Sequence, residues 1–170
     1  EVAVDCTLGG GGHAAAIVLH LRPGGRLIGL DVDSQELPRT ESRLRAAGLG
    51  RDEFSAHHGS FAGLPQVLAS EGLAAVNMVL ADLGVSSMQH DSPARGFSFR
   101  SVGPLDMRMD PGRGESAAQL LSRTDVATLI ALLRDHADEP HAALIADILK
   151  RQAITTTHAL PHYTKIEVVT

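Results

Sequence analysis

The stretch VAVDCTLGGGGHAAAIVLHL, residues 2–21, decides the fold class. A short apolar run ends in Asp5, four consecutive glycines occupy Gly9 to Gly12, and His13 to Leu21 has the composition of a helix. Strand, glycine turn and helix in that order open a βαβ unit. The order then repeats. A turn at Pro23, Gly24 and Gly25 precedes the apolar run Arg26 to Leu30, which ends in Asp31. Ser34 is placed to cap a helix reaching Ala47, with Pro38 tolerated in its first turn and Gly48 as its stop. A weaker strand from Phe54 to His57, a helix from Leu64 to Ser70 closed by Gly72, and a strand from Val76 to Ala81 ending in Asp82 complete the pattern. Strands and helices alternating at this spacing predict a parallel sheet with right-handed crossovers, which binds ligands at the carboxyl ends of its strands.

The 170 residues, 44% of them hydrophobic, suffice for one modest domain or one domain with an insertion. No run approaches the roughly 18 apolar residues of a membrane span, and no basic region precedes an apolar stretch at the N-terminus, so neither a spanning helix nor a signal peptide is expected. The single cysteine, Cys6, fits a reducing, cytoplasmic setting. A net charge of −5 argues against bulk nucleic-acid binding. The distribution is more informative. All but two of the 15 basic residues are arginine, and Arg95, Arg100, Arg108 and Arg113 lie in or just beyond ADLGVSSMQHDSPARGFSFRSVGPLDMRMDP, residues 81–111. That segment has little regular periodicity and the composition of a site. Phe97 and Phe99 stand between its first two arginines, an interleaving that suits stacking on unpaired bases, with a packed loop clamp as the alternative. Beyond it, Glu115 to Arg123, Asp125 to Asp135 and His141 to Gln152 read as short amphipathic helices, the middle one capped by Thr124, and together as a helical insertion.

Gly9, Gly11 and Ala14 satisfy the G-x-G-x-x-G/A pattern of dinucleotide binders, where a Cβ would hold the ligand away from backbone donors at the helix start. Asp31, at the end of the second strand, is placed to accept both hydroxyls of a ribose. Charge selects the ligand. Asp5 would repel a pyrophosphate but would pair with the α-ammonium of S-adenosylmethionine, which favours a methyl donor over NAD. Phe61 is then available to pack on the adenine and Asp82 to accept from its amino group or the methionine end, the alternatives being a core phenylalanine and a turn cap. His57, His58 and the group Asp135, His136, Asp138, Glu139 and His141 have metal-binding residue types without a standard ligand spacing, so no metal site is expected.

These motifs carry a resemblance. Asp5-Cys-Thr-Leu-Gly-Gly-Gly-Gly-His13 resembles the D-x-T-x-G-x-G-G-H loop of the bacterial 16S ribosomal RNA cytosine-N4 methyltransferases, the MraW or small-subunit methyltransferase H family. Leu30 to Asp33 and His58 to Phe61 resemble that family's second- and third-strand motifs. DLGVSS, Gln89, RGFSF and GPLDMRMD follow in its order and spacing, and Ile154, Thr155, Thr156 and Thr157 resemble its insertion. The resemblance covers about residues 1–158. It implies an S-adenosylmethionine-dependent, Rossmann-like α/β fold, incomplete here and carrying a helical insertion. Gly11, Gly12, His13, Asp31, Phe61, Asp82 and Gln89 would contact S-adenosylmethionine. The methyl group would pass to the N4 amine of a cytidine in the assembled small ribosomal subunit.

That amine is a poor nucleophile and needs an acceptor for its proton; Asp82, Ser86, Ser87 and Asp106 are available, with Asp82 and Asp106 the catalytic candidates. Arg95, Phe97 and Phe99 are the candidate RNA contacts. The expected organisation is a cofactor-binding half at residues 1–92, an active-site loop and the start of a substrate-recognition insertion at 93–160, and an unassigned tail at 161–170, within which 165–169 has strand-like composition. His90 stands where the family usually has leucine, and Val102 where aspartate is common. The family's later strands and FHSLEDR-like motif are missing, so a truncated or internally deleted member with an exposed edge on the fourth strand is expected. A non-catalytic cofactor-binding fragment is the alternative function.

Overall fold

The computed structural model describes residues 1–160; the strand-like 165–169 of the sequence reading lies outside them. The described chain separates into two compact units, Glu1–Ser86 with Met109–Gly112, and Ser87–Arg108 with the residues from Arg113 on. The division falls ahead of the 92/93 boundary read from sequence, because the helix carrying Gln89 packs with the second unit, and the first unit recovers four residues from the middle of the second.

The first unit is a parallel sheet. Its elements are β1 (Val2–Asp5), α1 (Gly12–His20), β2 (Arg26–Asp31), α2 (Glu36–Ala46), β3 (Phe54–His58), a 3-10 turn (Phe61–Gly63), α3 (Leu64–Ser70) and β4 (Met78–Leu80), with strand order β3-β2-β1-β4. Ala3 pairs with Leu27 and with Met78, and Leu27 pairs with Phe54, so the carboxyl ends of β1, β2 and β3 finish side by side. Alternation along the strands fills both faces. Ala3, Leu27 and Phe54 pack with Ala14, Leu37 and Leu44 of α1 and α2, whereas Val4, Ile28 and Leu30 pack with Leu64, Val67 and Leu68 of α3. Among the described residues β4 pairs with β1 alone, and Met78 and Val79 remain exposed. It is shorter than the span read from sequence.

The second unit holds α4 (Ser87–Asp91), a 3-10 turn (Pro93–Arg95), α5 (Ala117–Arg123), α6 (Val126–Ala137), α7 (Ala142–Lys150) and a 3-10 turn (Thr157–Ala159). Its core joins Leu129, Ala146, Leu149 and Ile154 to Leu105 from the irregular segment. The segment is stitched to the far end of the helices. Pro104 bridges to Thr156, Leu105 N–H donates to Thr155 O at 2.9 Å, and the buried Thr157 hydroxyl donates to Ser101 O at 2.8 Å.

Two caps differ from the sequence reading. Asp33 Oδ1, not Ser34, accepts from the Gln35 and Glu36 N–H groups at the start of α2. Asp125, not Thr124, caps α6 through Thr128 N–H at 2.9 Å, while the Thr124 hydroxyl donates back to Leu120 O at the end of α5. No helix among the described residues is long and apolar enough to cross a membrane.

Candidate active site

At the carboxyl end of β1, Asp5 is fully buried. Its Oδ1 accepts from the Thr7 N–H at 3.0 Å and the Thr7 hydroxyl at 3.4 Å, but its Oδ2 has no hydrogen-bond partner among the described residues. Burial pushes the Asp5 carboxyl above its ordinary value against the lowering effect of those bonds. Burying a carboxylate oxygen without a donor is costly, and a cation or donor placed at Oδ2 would relieve that cost. Thr7 Oγ1 also accepts the Asp82 N–H at 2.8 Å and so fixes the chain leaving β4 beside the end of β1.

Asp31 shapes the glycine turn before it meets any ligand. Its Oδ2 accepts Gly9 N–H at 2.6 Å and its Oδ1 accepts Asp33 N–H at 2.8 Å, leaving each oxygen a further lone pair. Gly11 is the residue before α1, in the left-handed region at φ 77°, and no side chain caps the helix. The glycines serve different ends. A Cβ on Gly11 would lie 2.8 Å from Thr40 Cγ2 of α2, whereas one on Gly12 would meet nothing within 4 Å. The open side of Gly12 leaves room for a ligand to approach, whereas the close neighbour of Gly11 is α2. Gly11→Ala is expected to cost about 1–2 kcal/mol in a denaturation experiment, while Gly12→Ala, at an exposed helix start, is expected to be neutral or stabilising by up to about 1 kcal/mol.

His13 and Asp82 are both exposed, with Nδ1 and Oδ2 3.8 Å apart. Phe61 is 50% exposed at the start of its 3-10 turn, which Ser60 caps through Ala62 N–H. The turn follows β3 directly, and Gly59 N–H donates to Asp31 O at 2.8 Å. Asp5, Asp31, the glycine turn, Phe61 and Asp82 thus all belong to the ends of the first unit's strands. Sequence reasoning missed Asp110. Its Oδ1 accepts from the Ser34 hydroxyl at 2.7 Å and from Gly112 N–H at 3.0 Å, and its Oδ2 lies 3.2 Å from His58 Nε2. These contacts fasten the returning residues Met109–Gly112 to the segments that follow β2 and β3.

In the second unit, Gln89 lies on α4 and is 3% exposed. Arg95, offered by the sequence as an RNA contact, is 6% exposed; its Nη2 donates to Arg108 O at 3.0 Å, and its guanidinium carbon is 5.9 Å from the Phe97 ring centroid. Its burial and these contacts suit the loop clamp of the two alternatives. Phe99 is 67% exposed. Arg108 grips Asp106 through Nε to Oδ1 at 2.9 Å and Nη2 to Oδ2 at 2.7 Å, and these bonds hold the Asp106 carboxyl below its ordinary value. Between them Met107 takes a left-handed φ of 60°, with its N–H donating to Arg95 O at 2.9 Å. That conformation costs a non-glycine residue about 1 kcal/mol and is held here by its neighbours.

A parallel sheet with a glycine turn and carboxylates at its strand ends fits several cofactor-dependent families. The profile of the MraW methylase family matches residues 1–168. The chain belongs to this family. The match runs past the 158 residues of the sequence resemblance and takes in most of the tail left unassigned there, which corrects that reading. Ribosomal RNA small subunit methyltransferase H of Burkholderia vietnamiensis is 50% identical over 148 residues, covering 87% of this chain and 45% of that protein. Ribosomal RNA small subunit methyltransferase H 2 of Alkaliphilus metalliredigens is 43% identical over 170 residues, 97% of this chain and 48% of that protein. The Burkholderia mallei methyltransferase H is 48% identical over 153 residues. The chain spans about half the length of these curated relatives. Within the MraW methylases, then, this chain carries a four-stranded parallel sheet and a helical unit.

Proposed function

We propose that the protein to which this chain belongs binds S-adenosylmethionine and transfers its methyl group to the N4 amine of a cytidine in small-subunit ribosomal RNA. The buried Asp5 Oδ2, unpartnered among the described residues, carries the cofactor reading: it supplies the anionic acceptor that an α-ammonium requires and that a pyrophosphate would be repelled by. The family match and the names of the relatives support the reaction class and the RNA.

S-adenosylmethionine, when bound, supplies a sulfonium-activated methyl group. The chain's own residues position and hold protons. Asp5 takes the ammonium, the open face of Gly12 lets the cofactor approach α1, and Asp31 offers its remaining lone pairs to the ribose while holding Gly9. His13 and Phe61 complete the proposed cofactor contacts of the first unit. Of the two catalytic candidates, Asp82 suits the amine proton: its side chain is exposed while its backbone is fixed to Thr7. Asp106 has its carboxylate occupied by Arg108. Phe99, exposed, is the proposed stacking residue for RNA.

Calorimetric titration with S-adenosylmethionine and with NAD tests the cofactor; tighter binding of NAD would end this reading. Transfer of labelled methyl groups to purified small subunits tests the reaction. Asp82→Asn is expected to slow single-turnover transfer at saturating cofactor by about 10²-fold. If Asp106→Asn alone slows it, the roles are reversed. Coverage of half the relatives' length favours a second reading for this chain by itself, cofactor binding without transfer, which the same two assays separate.

A further inference from the structure

Helix α2 reaches the glycine turn through two side chains. Thr40, fully buried, lies with Oγ1 2.5 Å from Gly9 O, and Arg43 places Nη2 2.7 Å from Thr40 Oγ1 and 3.0 Å from Gly10 O. Proton accounting fixes the direction. A guanidinium only donates, so Thr40 Oγ1 accepts from Arg43, and its one proton is left for Gly9 O. Gly9 is thereby held on both sides, its N–H by Asp31 and its carbonyl by Thr40. The Thr40 methyl closes the same turn sterically, since any Cβ on Gly11 would stand 2.8 Å from it.

We propose that Thr40 is a positioning residue for the cofactor, with Arg43 orienting its hydroxyl: together they hold the Gly9–Gly12 backbone in the shape that receives the methionine end. This rests on the S-adenosylmethionine reading above, but the pre-set shape of the turn is a property of the unliganded chain and is testable without any ligand. A turn already fixed loses little freedom on binding, and a turn released from α2 loses more.

Thr40→Val keeps the size and the buried methyl group and replaces the hydroxyl by a second methyl; Thr40→Ser keeps the hydroxyl. In the 170-residue chain without ligand, Thr40→Val is expected to speed amide exchange at Gly11, whose N–H donates to Leu8 O at 2.7 Å, while Thr40→Ser leaves it near the parent rate. In titrations, Thr40→Val is expected to raise the Kd for S-adenosylmethionine about tenfold, with Thr40→Ser restoring it and with 5′-methylthioadenosine, which lacks the amino-acid end, shifted much less. Unchanged Gly11 exchange in Thr40→Val overturns the proposal, as does equal weakening of both ligands, which would mark a general loss of folding. A parent chain that binds no S-adenosylmethionine while Thr40→Val still speeds Gly11 exchange removes the cofactor role of Thr40 in this chain, leaving only the hydrogen-bonded turn.

Discussion

Asp5→Asn is expected to make the chain more stable and the cofactor weaker. The parent carries a fully buried carboxylate with one oxygen unpartnered among the described residues, and burial raises its pKa from 3.8. A carboxyl whose pKa is higher folded than unfolded favours folding in its neutral form. That contribution is complete below the unfolded value and is lost as pH rises through the raised folded value. At neutral pH the folded chain therefore lacks the full stabilisation that its neutral carboxyl gives at low pH. Asparagine keeps the acceptor for Thr7 and removes the charge, so melting at pH 7 is expected to rise by about 2–4 °C for roughly 1 kcal/mol. The gain should shrink as pH falls toward 3.8, where the parent carboxyl is neutralised. Under the proposed function the same substitution removes the partner of an ammonium, with a loss of about 2–4 kcal/mol, on the order of 100-fold in Kd. Opposite movements of melting temperature and affinity identify Asp5 as a ligand-binding carboxylate. A fall in both would make it a structural one.

Much of the first unit was legible because its signals are local. The apolar run ending at Asp5 and the glycines after it leave little choice of strand and turn, and β1 occupies Val2–Asp5 as read. The same locality exposed Asp5 and Asp31, since a carboxylate that ends a buried strand has few other uses. Errors arose where two neighbouring residues offered the same service. Asp33 and Ser34 both suit a helix start, and the choice was settled by Asp110, distant in sequence, whose carboxylate takes the Ser34 hydroxyl. Thr124 and Asp125 pose the same ambiguity one residue apart. For Arg95 the choice between RNA contact and loop clamp stayed open in the sequence because composition reports charge and not burial; its partners, the Arg108 carbonyl and the Phe97 ring, are set by how the segment folds back. Thr40 and Arg43 were invisible for another reason. On a helix surface they are ordinary polar residues, and only the sheet's geometry brings the Gly9 and Gly10 carbonyls to them.

Gly103→Ala is expected to be among the most damaging small substitutions in the second unit, although nothing in the local sequence marks it. Its φ lies outside the left-handed region, so alanine meets no backbone strain there; the obstacle is contact. A Cβ would stand 1.9 Å from Pro93 O and 2.8 Å from Pro93 C, backbone atoms that no rotamer change can move aside. Retreat is blocked on the other side. Gly103 N–H donates to Thr157 Oγ1 at 3.1 Å, and Gly103 O accepts Thr157 N–H at 3.0 Å. Alanine must therefore break either the Pro93 approach or the Thr157 pairing, and with the latter the seating of Leu105 in the helical core. The expected cost is about 3–5 kcal/mol in chemical denaturation, with faster amide exchange at Leu105 and Thr157. Gly114→Ala is the control, because Gly114 has a left-handed φ of 73° and open space around its Cβ position, and it should cost only about 1 kcal/mol. If Gly103→Ala costs no more than Gly114→Ala, the close approach of Pro93 to Gly103 is not what holds this segment. If the large cost is found while S-adenosylmethionine still binds, cofactor binding and the folding of the irregular segment are separable properties of the two units.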